Sequence, residues 1–277
     1  MLFSLQLKKI RSTNQLRKEK NFIGFISLVL VGIISLPLLL QSTPSLKKIT
    51  YEQAFLNGQP RLFKSLPLIR GWLDDNHYLL LERDEKTKTS RLFKVNAHSG
   101  KKTLFIDYSQ IQKSLPPGLM ATSHWTQSAD YKILIYIFKN DLYAYFTTQG
   151  KFRRLTATPA PEHNPKLSPD GKFLAYTRQH NLYSLELASG LEYQLTNDGS
   201  KTIYNGWASW VYYEEILGRR SRYAAFWWSP DSQHLAFLRF DDSPVPTFPL
   251  FRSGGPHGEL EIERYPKAGD PNPYVRL

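Results

Sequence analysis

Internal repetition constrains this chain more than any other feature. Ser128-Ala129-Asp130-Tyr131-Lys132-Ile133-Leu134-Ile135-Tyr136 is matched forty residues later by Ser168-Pro169-Asp170-Gly171-Lys172-Phe173-Leu174-Ala175-Tyr176. At the same offset Asn181-Leu182-Tyr183 answers Asp141-Leu142-Tyr143, and Leu195-Thr196 answers Leu155-Thr156. A partial third copy, Ser229-Pro230-Asp231-Ser232-Gln233-His234-Leu235-Ala236-Phe237, follows the second at 61 residues, which leaves about 20 inserted between them. A weaker copy starts near Trp72-Leu73-Asp74-Asp75-Asn76 and continues through Leu92-Phe93-Lys94-Val95.

Each copy has one grammar. A polar turn precedes a short apolar run, and a second turn leads into an alternating strand such as Leu182-Tyr183-Ser184-Leu185-Glu186-Leu187. Pro-Asp-Gly suits the turn, and period-two alternation predicts strands rather than helices. Several short strands in a unit of about 40 residues is the pattern of a β-propeller. The alternative is a β-sandwich with coincidental turns. Aromatic residues make up 14% of the chain, which suits packing on pleated sheets. With no Cys, disulfides, thiolate zinc sites and a cysteine nucleophile are excluded.

The amino-terminal segment has a different character. Residues 1–21 carry six basic side chains against Glu19, and Phe22 to Leu40 is an uncharged run of 19 residues. A helix of that length nearly spans a hydrocarbon core of about 30 Å, and the preceding basic residues predict that its start stays in the cytoplasm. Residues 1–21 are thus expected as a cytoplasmic tail, 22–40 as an uncleaved transmembrane anchor, and 41–277 as a propeller domain in the periplasm or exterior. A cleaved signal peptide, giving a secreted chain, is the alternative. A buried core helix fits poorly with apolarity on all sides. The net charge of +12 owes +5 to residues 1–21, and the remaining basic residues are scattered. No nucleic-acid partner is expected from that pattern.

Motifs for catalysis and cofactors are missing. There is no Gly-x-Ser-x-Gly elbow, P-loop, dinucleotide fingerprint or HExxH. The seven His have no paired metal spacing, so neither metal nor cofactor is expected. The insert before the third copy stands out. It runs from Asn205 through Trp210-Val211-Tyr212-Tyr213-Glu214-Glu215 to Phe226-Trp227-Trp228-Ser229-Pro230-Asp231, with four Trp and one adjacent acid pair. Such a pair is by default a solvated face; Asp74-Asp75, Asp84-Glu85 and Asp241-Asp242 are others in this chain.

At this point the chain resembles the amino-terminal propeller domain of the dipeptidyl peptidase IV family of serine peptidases, in wording closest to bacterial members. The matches are 210–215, Phe226 to Asp231, Arg239-Phe240-Asp241-Asp242-Ser243 with Val245-Pro246, and Tyr265-Pro266-Lys267-Ala268-Gly269 with Asn272-Pro273. The resemblance covers about 47–277 and is specific from 203 onward. It implies an eight-bladed propeller that caps an α/β-hydrolase domain, with dipeptides released from peptide amino termini and frequent dimerisation. It implies that Glu214 and Glu215 bind the substrate's free amino terminus, with Trp210, Tyr212, Trp227 and Trp228 as their aromatic support. The family's arginine near the substrate carbonyl has no match in 120–150, where Lys139-Asn140-Asp141 occupies the loop.

The chemistry of the acid pair stands on its own. An ammonium offers three donors and one charge, and two carboxylates answer both. Neighbours on a regular helix point about 100° apart, and on a strand they oppose. Both can reach one amine only from a short or distorted helical turn. The chain is expected to hold four or five blades and to lack the Ser-Asp-His machinery. It would then have no catalytic residue and no activity alone, with the missing hydrolase domain, the membrane and free-amine peptides as partners. The alternative is a non-catalytic extracytoplasmic propeller that binds peptides or proteins.

Overall fold

The computed structural model describes residues 48–56, 58–59 and 65–277. The expected cytoplasmic tail and membrane anchor at 1–21 and 22–40 lie outside the described residues. Among the described residues no helix is long and apolar enough to cross a membrane. The chain divides into two compact units, Met1–Ser65 and Leu66–Leu277. In the first, α1 (Tyr51–Phe55) is started by a capping box between Thr50 and Gln53.

The sheets of the second unit are antiparallel throughout. Three four-stranded meanders follow each other. The first is β1 (Leu68–Asp74), β2 (His77–Arg83), β3 (Ser90–Asn96) and β4 (Lys102–Asp107). The second is β5 (Thr126–Gln127), β6 (Ile133–Phe138), β7 (Asp141–Phe146) and β8 (Lys151–Arg154). The third is β9 (His163–Leu167), β10 (Phe173–Arg178), β11 (Asn181–Glu186) and β12 (Glu192–Gln194). One short helix, α2 (Tyr108–Gln112), links the first meander to the second. The forty-residue offset is kept in the pairing register: Ile133 faces Phe146, and Phe173 faces Glu186.

The turns explain why the repeat folds alike. Ser128 Oγ donates to Asp130 (2.7 Å) and accepts from the Ile133 amide (3.0 Å). Ser168 does the same with Asp170 and Phe173 at the same two distances. Ser229 repeats it with Asp231 and His234. The fourth turn position is left-handed in all three, at Tyr131 (φ 57°), Gly171 (φ 70°) and Ser232 (φ 63°). Sequence alone would give that conformation only to the glycine.

Packing gives the alternation its meaning. Leu134 and Tyr136 on β6 face back to Leu79, Leu81, Leu92 and Ile106 of the first meander. Ile135, between them, faces forward to Leu174, Tyr176 and Leu185 of the third. Forty residues on, Leu174 and Tyr176 face back, while Ala175 packs forward with Ala224 and Phe226. The second and third meanders are therefore buried on both faces between their chain neighbours, and the first strands β5 and β9 lie side by side. Successive sheets stacked in chain order, with first strands adjacent, is a propeller-like arrangement.

The third copy departs from the pattern. Its turn joins β14 (Phe226–Trp228) to β15 (Leu235–Phe237), a two-stranded sheet. Beyond Leu238, β16 (Arg239–Asp241) pairs instead with β13 (Ile203–Asn205) and β19 (Tyr274–Arg276). A separate hairpin, β17 (Thr247–Arg252) with β18 (Glu259–Arg264), stands between them. Among the described residues there are thus three four-stranded sheets and three smaller ones.

Candidate functional site

The insert forms an excursion with a zipped base. Trp207 bridges Ala224, the Ala208 amide donates to the Tyr223 carbonyl (2.8 Å), and the Ala225 amide to the Gly206 carbonyl (2.9 Å). Gly206 is left-handed (φ 69°), and a Cβ there would meet Leu182 Cδ1 at 3.1 Å and Phe226 Cδ1 at 3.2 Å. Only glycine lets the base sit this close to the third meander. At the start of the excursion Ser209 Oγ donates to Asp242 Oδ2 at 2.9 Å. Asp242 is 1% exposed, and burial, helped by the nearby Asp241 and Glu263 charges, pushes its carboxyl up to about 6 against the opposing Ser209 hydroxyl and Arg264.

Glu214 and Glu215 lie on a single π-helical turn, Tyr212–Ile216. The Leu217 amide reaches back five residues to the Tyr212 carbonyl (2.7 Å), while the Tyr213 amide reaches four, to Ser209 (3.0 Å). A wider turn rotates neighbouring side chains by less than a regular α-turn, so adjacent carboxylates diverge less. The segment is thus a short distorted helical turn, the geometry that two neighbouring acids need to share one amine.

Their surroundings differ. Glu214 is 14% exposed and pairs with Arg219, whose guanidinium nitrogen lies 2.5 Å from its carboxylate. That carboxylate holds the exposed Arg219 guanidinium above its ordinary pKa. Glu215 is exposed and makes no hydrogen bond or ion pair among the described residues. Nothing in the sequence pattern marks Arg219 as a partner of the acid pair. Five residues separate it from Glu214, and only the left-handed Gly218 (φ 75°) folds it back.

Aromatic rings hold the turn from two sides. Tyr213 stacks on Tyr223 at 3.8 Å, Tyr223 stacks on Trp207 at 4.9 Å, and Trp207 meets His163 of β9 edge-on. On the other side Trp210 packs on Tyr265 and Tyr212 on Phe240. Trp210 thus lies just ahead of the turn, and Tyr212 is its first residue. Trp227 and Trp228 lie elsewhere: β14 carries them on the third meander's side. The Trp228 indole N–H donates to the Lys166 carbonyl (3.0 Å), and Trp227 is exposed with the Lys166 ammonium over its ring. Their place in the shell falls to Tyr213, Tyr223 and Trp207. Among the described residues no cluster of His, Asp or Glu could hold a metal.

Fold and site together define a propeller-like β domain that presents an acidic turn on an excursion between its sheets. The model of the dipeptidyl peptidase IV (DPP IV) N-terminal region matches residues 119–277, more than half of the chain, and the chain belongs to that family. It is 32% identical over 260 residues to the probable dipeptidyl-aminopeptidase B of Talaromyces stipitatus, covering 83% of this chain and 28% of that protein. It is 37% identical over 153 residues to the prolyl endopeptidase FAP of Mus musculus, covering 54% of this chain and 20% of that one. Among solved structures, Porphyromonas gingivalis dipeptidyl peptidase 4 aligns with a TM-score of 0.59 at 26% identity, over 75% of this chain and 30% of that one. The chain thus spans less than a third of the length of these relatives.

Proposed function

We propose that this chain is the substrate-recognition portion of a membrane-anchored serine dipeptidyl peptidase, in which Glu214 and Glu215 hold the α-ammonium of a peptide. One observation carries the reading: both carboxylates sit on a single π-helical turn, and among the described residues one has no partner and the other pairs only with an exposed arginine. An incoming ammonium can take Glu215 directly and share or replace Arg219 at Glu214. The ring stacks on either side keep the turn rigid before ligand arrives, which reduces the ordering that binding requires. Blocked or internal peptides lack the charge and leave the acids unmatched. Hydrolysis needs a nucleophile, which we assign to a hydrolase domain and not to these residues. Phe22 to Leu40 would anchor the protein with the propeller outside the cytoplasm, and cleavage of that segment would release it. Dimerisation is in keeping with this reading.

The test is peptide binding to the full chain in detergent, with Ala-Pro-Asn amide carrying a free or an acetylated amino terminus. Acetylation and Glu215→Gln should each weaken binding about tenfold, the effect of one charge-assisted contact. Arg219→Gln should tighten the free-amine peptide about threefold, because an exposed ion pair competes only modestly. Equal binding of both peptides to the parent would overturn the assignment.

A further inference from the structure

A cavity of about 350 Å³ is walled by the first strands of two meanders and by residues 220–224 of the same excursion. Trp125 and Thr126 come from the β5 side, Asn164 and Lys166 from β9, and Arg220 and Arg222 from the excursion. Three cationic side chains line it, and no carboxylate does. None of the three makes an ion pair among the described residues. Lys166 donates to the Phe226 carbonyl (2.7 Å), which leaves ammonium donors over. Burial pulls its pKa below the ordinary value, as expected for a cation without a counter-charge.

The wall also holds polar atoms that nothing satisfies. Asn164 is 4% exposed and its Nδ2 has no hydrogen-bond partner, and neither does the buried Ser221 Oγ. Asn164 owes its position to a bulge: β9 slips register against β10 between Ala175 and Thr177, and Asn164 is left-handed (φ 55°). Bulges re-aim side chains, and buried unpaired donors are uncommon unless a ligand or water meets them. Arg222, also left-handed (φ 50°), lays its guanidinium over Trp125 at 4.3 Å. Stacked this way, its edge N–H groups stay available to an acceptor in the plane of the guanidinium.

We propose that this cavity is an anion subsite for a carboxylate of a peptide ligand, built from Asn164, Lys166, Ser221 and Arg222. The inference rests on the reading of Glu214 and Glu215 as the ammonium site. One excursion then presents an acidic turn and a basic cavity, joined through Arg219 and Arg220, to a ligand with separated charges of both signs. The carboxylate comes either from an acidic side chain near the amino terminus or from the end of a short peptide. Both supply the same planar, doubly accepting group that an arginine edge and an amide donor match.

Three peptides separate these sources in binding measurements on the full chain: Ala-Pro-Asp amide, Ala-Pro-Asn with a free carboxyl end, and Ala-Pro-Asn amide as the neutral control. At least one anionic peptide should bind about tenfold tighter than the control, and which one it is names the source. Arg222→Gln and Asn164→Asp should each erase that advantage and leave the control unchanged. Asn164→Asp keeps the size and replaces a donor by a charge of the wrong sign. Arg222 is exposed, so its variant tests the cavity even where the Asn164 variant misfolds. Acetylated versions keep the two readings apart. If only the acid pair is wrong, acetylation changes nothing while the Arg222-dependent advantage remains. If only the cavity is wrong, acetylation weakens every peptide and all three bind alike. Equal binding of the three peptides, indifferent to Arg222→Gln, overturns the subsite.

Discussion

At the residue scale, the buried Asp242 beneath the excursion couples its fold to pH. Its carboxyl ordinarily titrates near 3.8, and burial raises it to about 6. An acid whose pKa is raised on folding holds its proton more tightly folded than unfolded. Stability linked to this group is therefore fully present below about 3.8, declines as pH rises through the window to about 6, and is absent above it. Asp242→Asn lacks the titration while still able to accept from Ser209. Between pH 4 and pH 7 the variant should gain on the parent by on the order of 3 kcal/mol in urea unfolding. Parallel pH profiles for the two proteins would contradict this account. The adjacent acids at 241–242 were legible as a family-like block. That one of them lies buried against Ser209, thirty-three residues earlier, was not, because burial belongs to the packed sheet and not to the local string.

At the element scale, the third meander is tied by an ion network that the repeat does not announce. Arg178 on β10 reaches Glu162 ahead of β9 (3.2 Å) and Glu192 on β12 (2.7 Å), and lies over the Tyr183 ring. Glu162 is fully buried and also accepts from Thr156 and Thr158. Removing the cation strands a buried carboxylate, so Arg178→Met should cost about 3–5 kcal/mol, read as an earlier urea midpoint. Glu162→Gln in the same background should restore part of the loss, and its failure to do so would show that the pair is not what matters. The matching position of the second meander is Phe138, which explains why the forty-residue comparison says nothing about the network. The strands and turns did repeat, since alternation and Ser-x-Asp chemistry are local.

At the scale of the whole molecule, the described sheets leave apolar surface uncovered. Leu68, Ile69 and Trp72 of β1 and Leu191, Tyr193 and Leu195 around β12 are exposed. Exposed strand edges with apolar side chains pair readily with other chains. The chain should therefore associate as concentration rises, seen by light scattering in detergent above the micelle background. Trp72→Lys together with Tyr193→Lys should shift the onset to higher concentration. A single monomeric species at all concentrations, with or without the lysines, would show these edges to be harmless.

Short-range chemistry controls the parts of this protein that could be read along the chain. A serine that bonds an aspartate two residues on makes the same turn wherever it recurs. An apolar residue at every second position makes a strand with two usable faces. An adjacent acid pair among aromatic residues had to lie on a distorted turn if both were to meet one amine, and the π-turn at Tyr212–Ile216 has that form. What surrounds that turn was set by packing across the fold. Arg219 returns to Glu214, Tyr213 stacks through Tyr223 onto Trp207, and Trp227 and Trp228 belong to the neighbouring sheet instead. The basic cavity gathers Trp125, Asn164 and Arg222 from three segments roughly forty to sixty residues apart. Such neighbours are set by which sheet faces pack together and where a bulge turns a side chain, and neither is carried by any short stretch of chain.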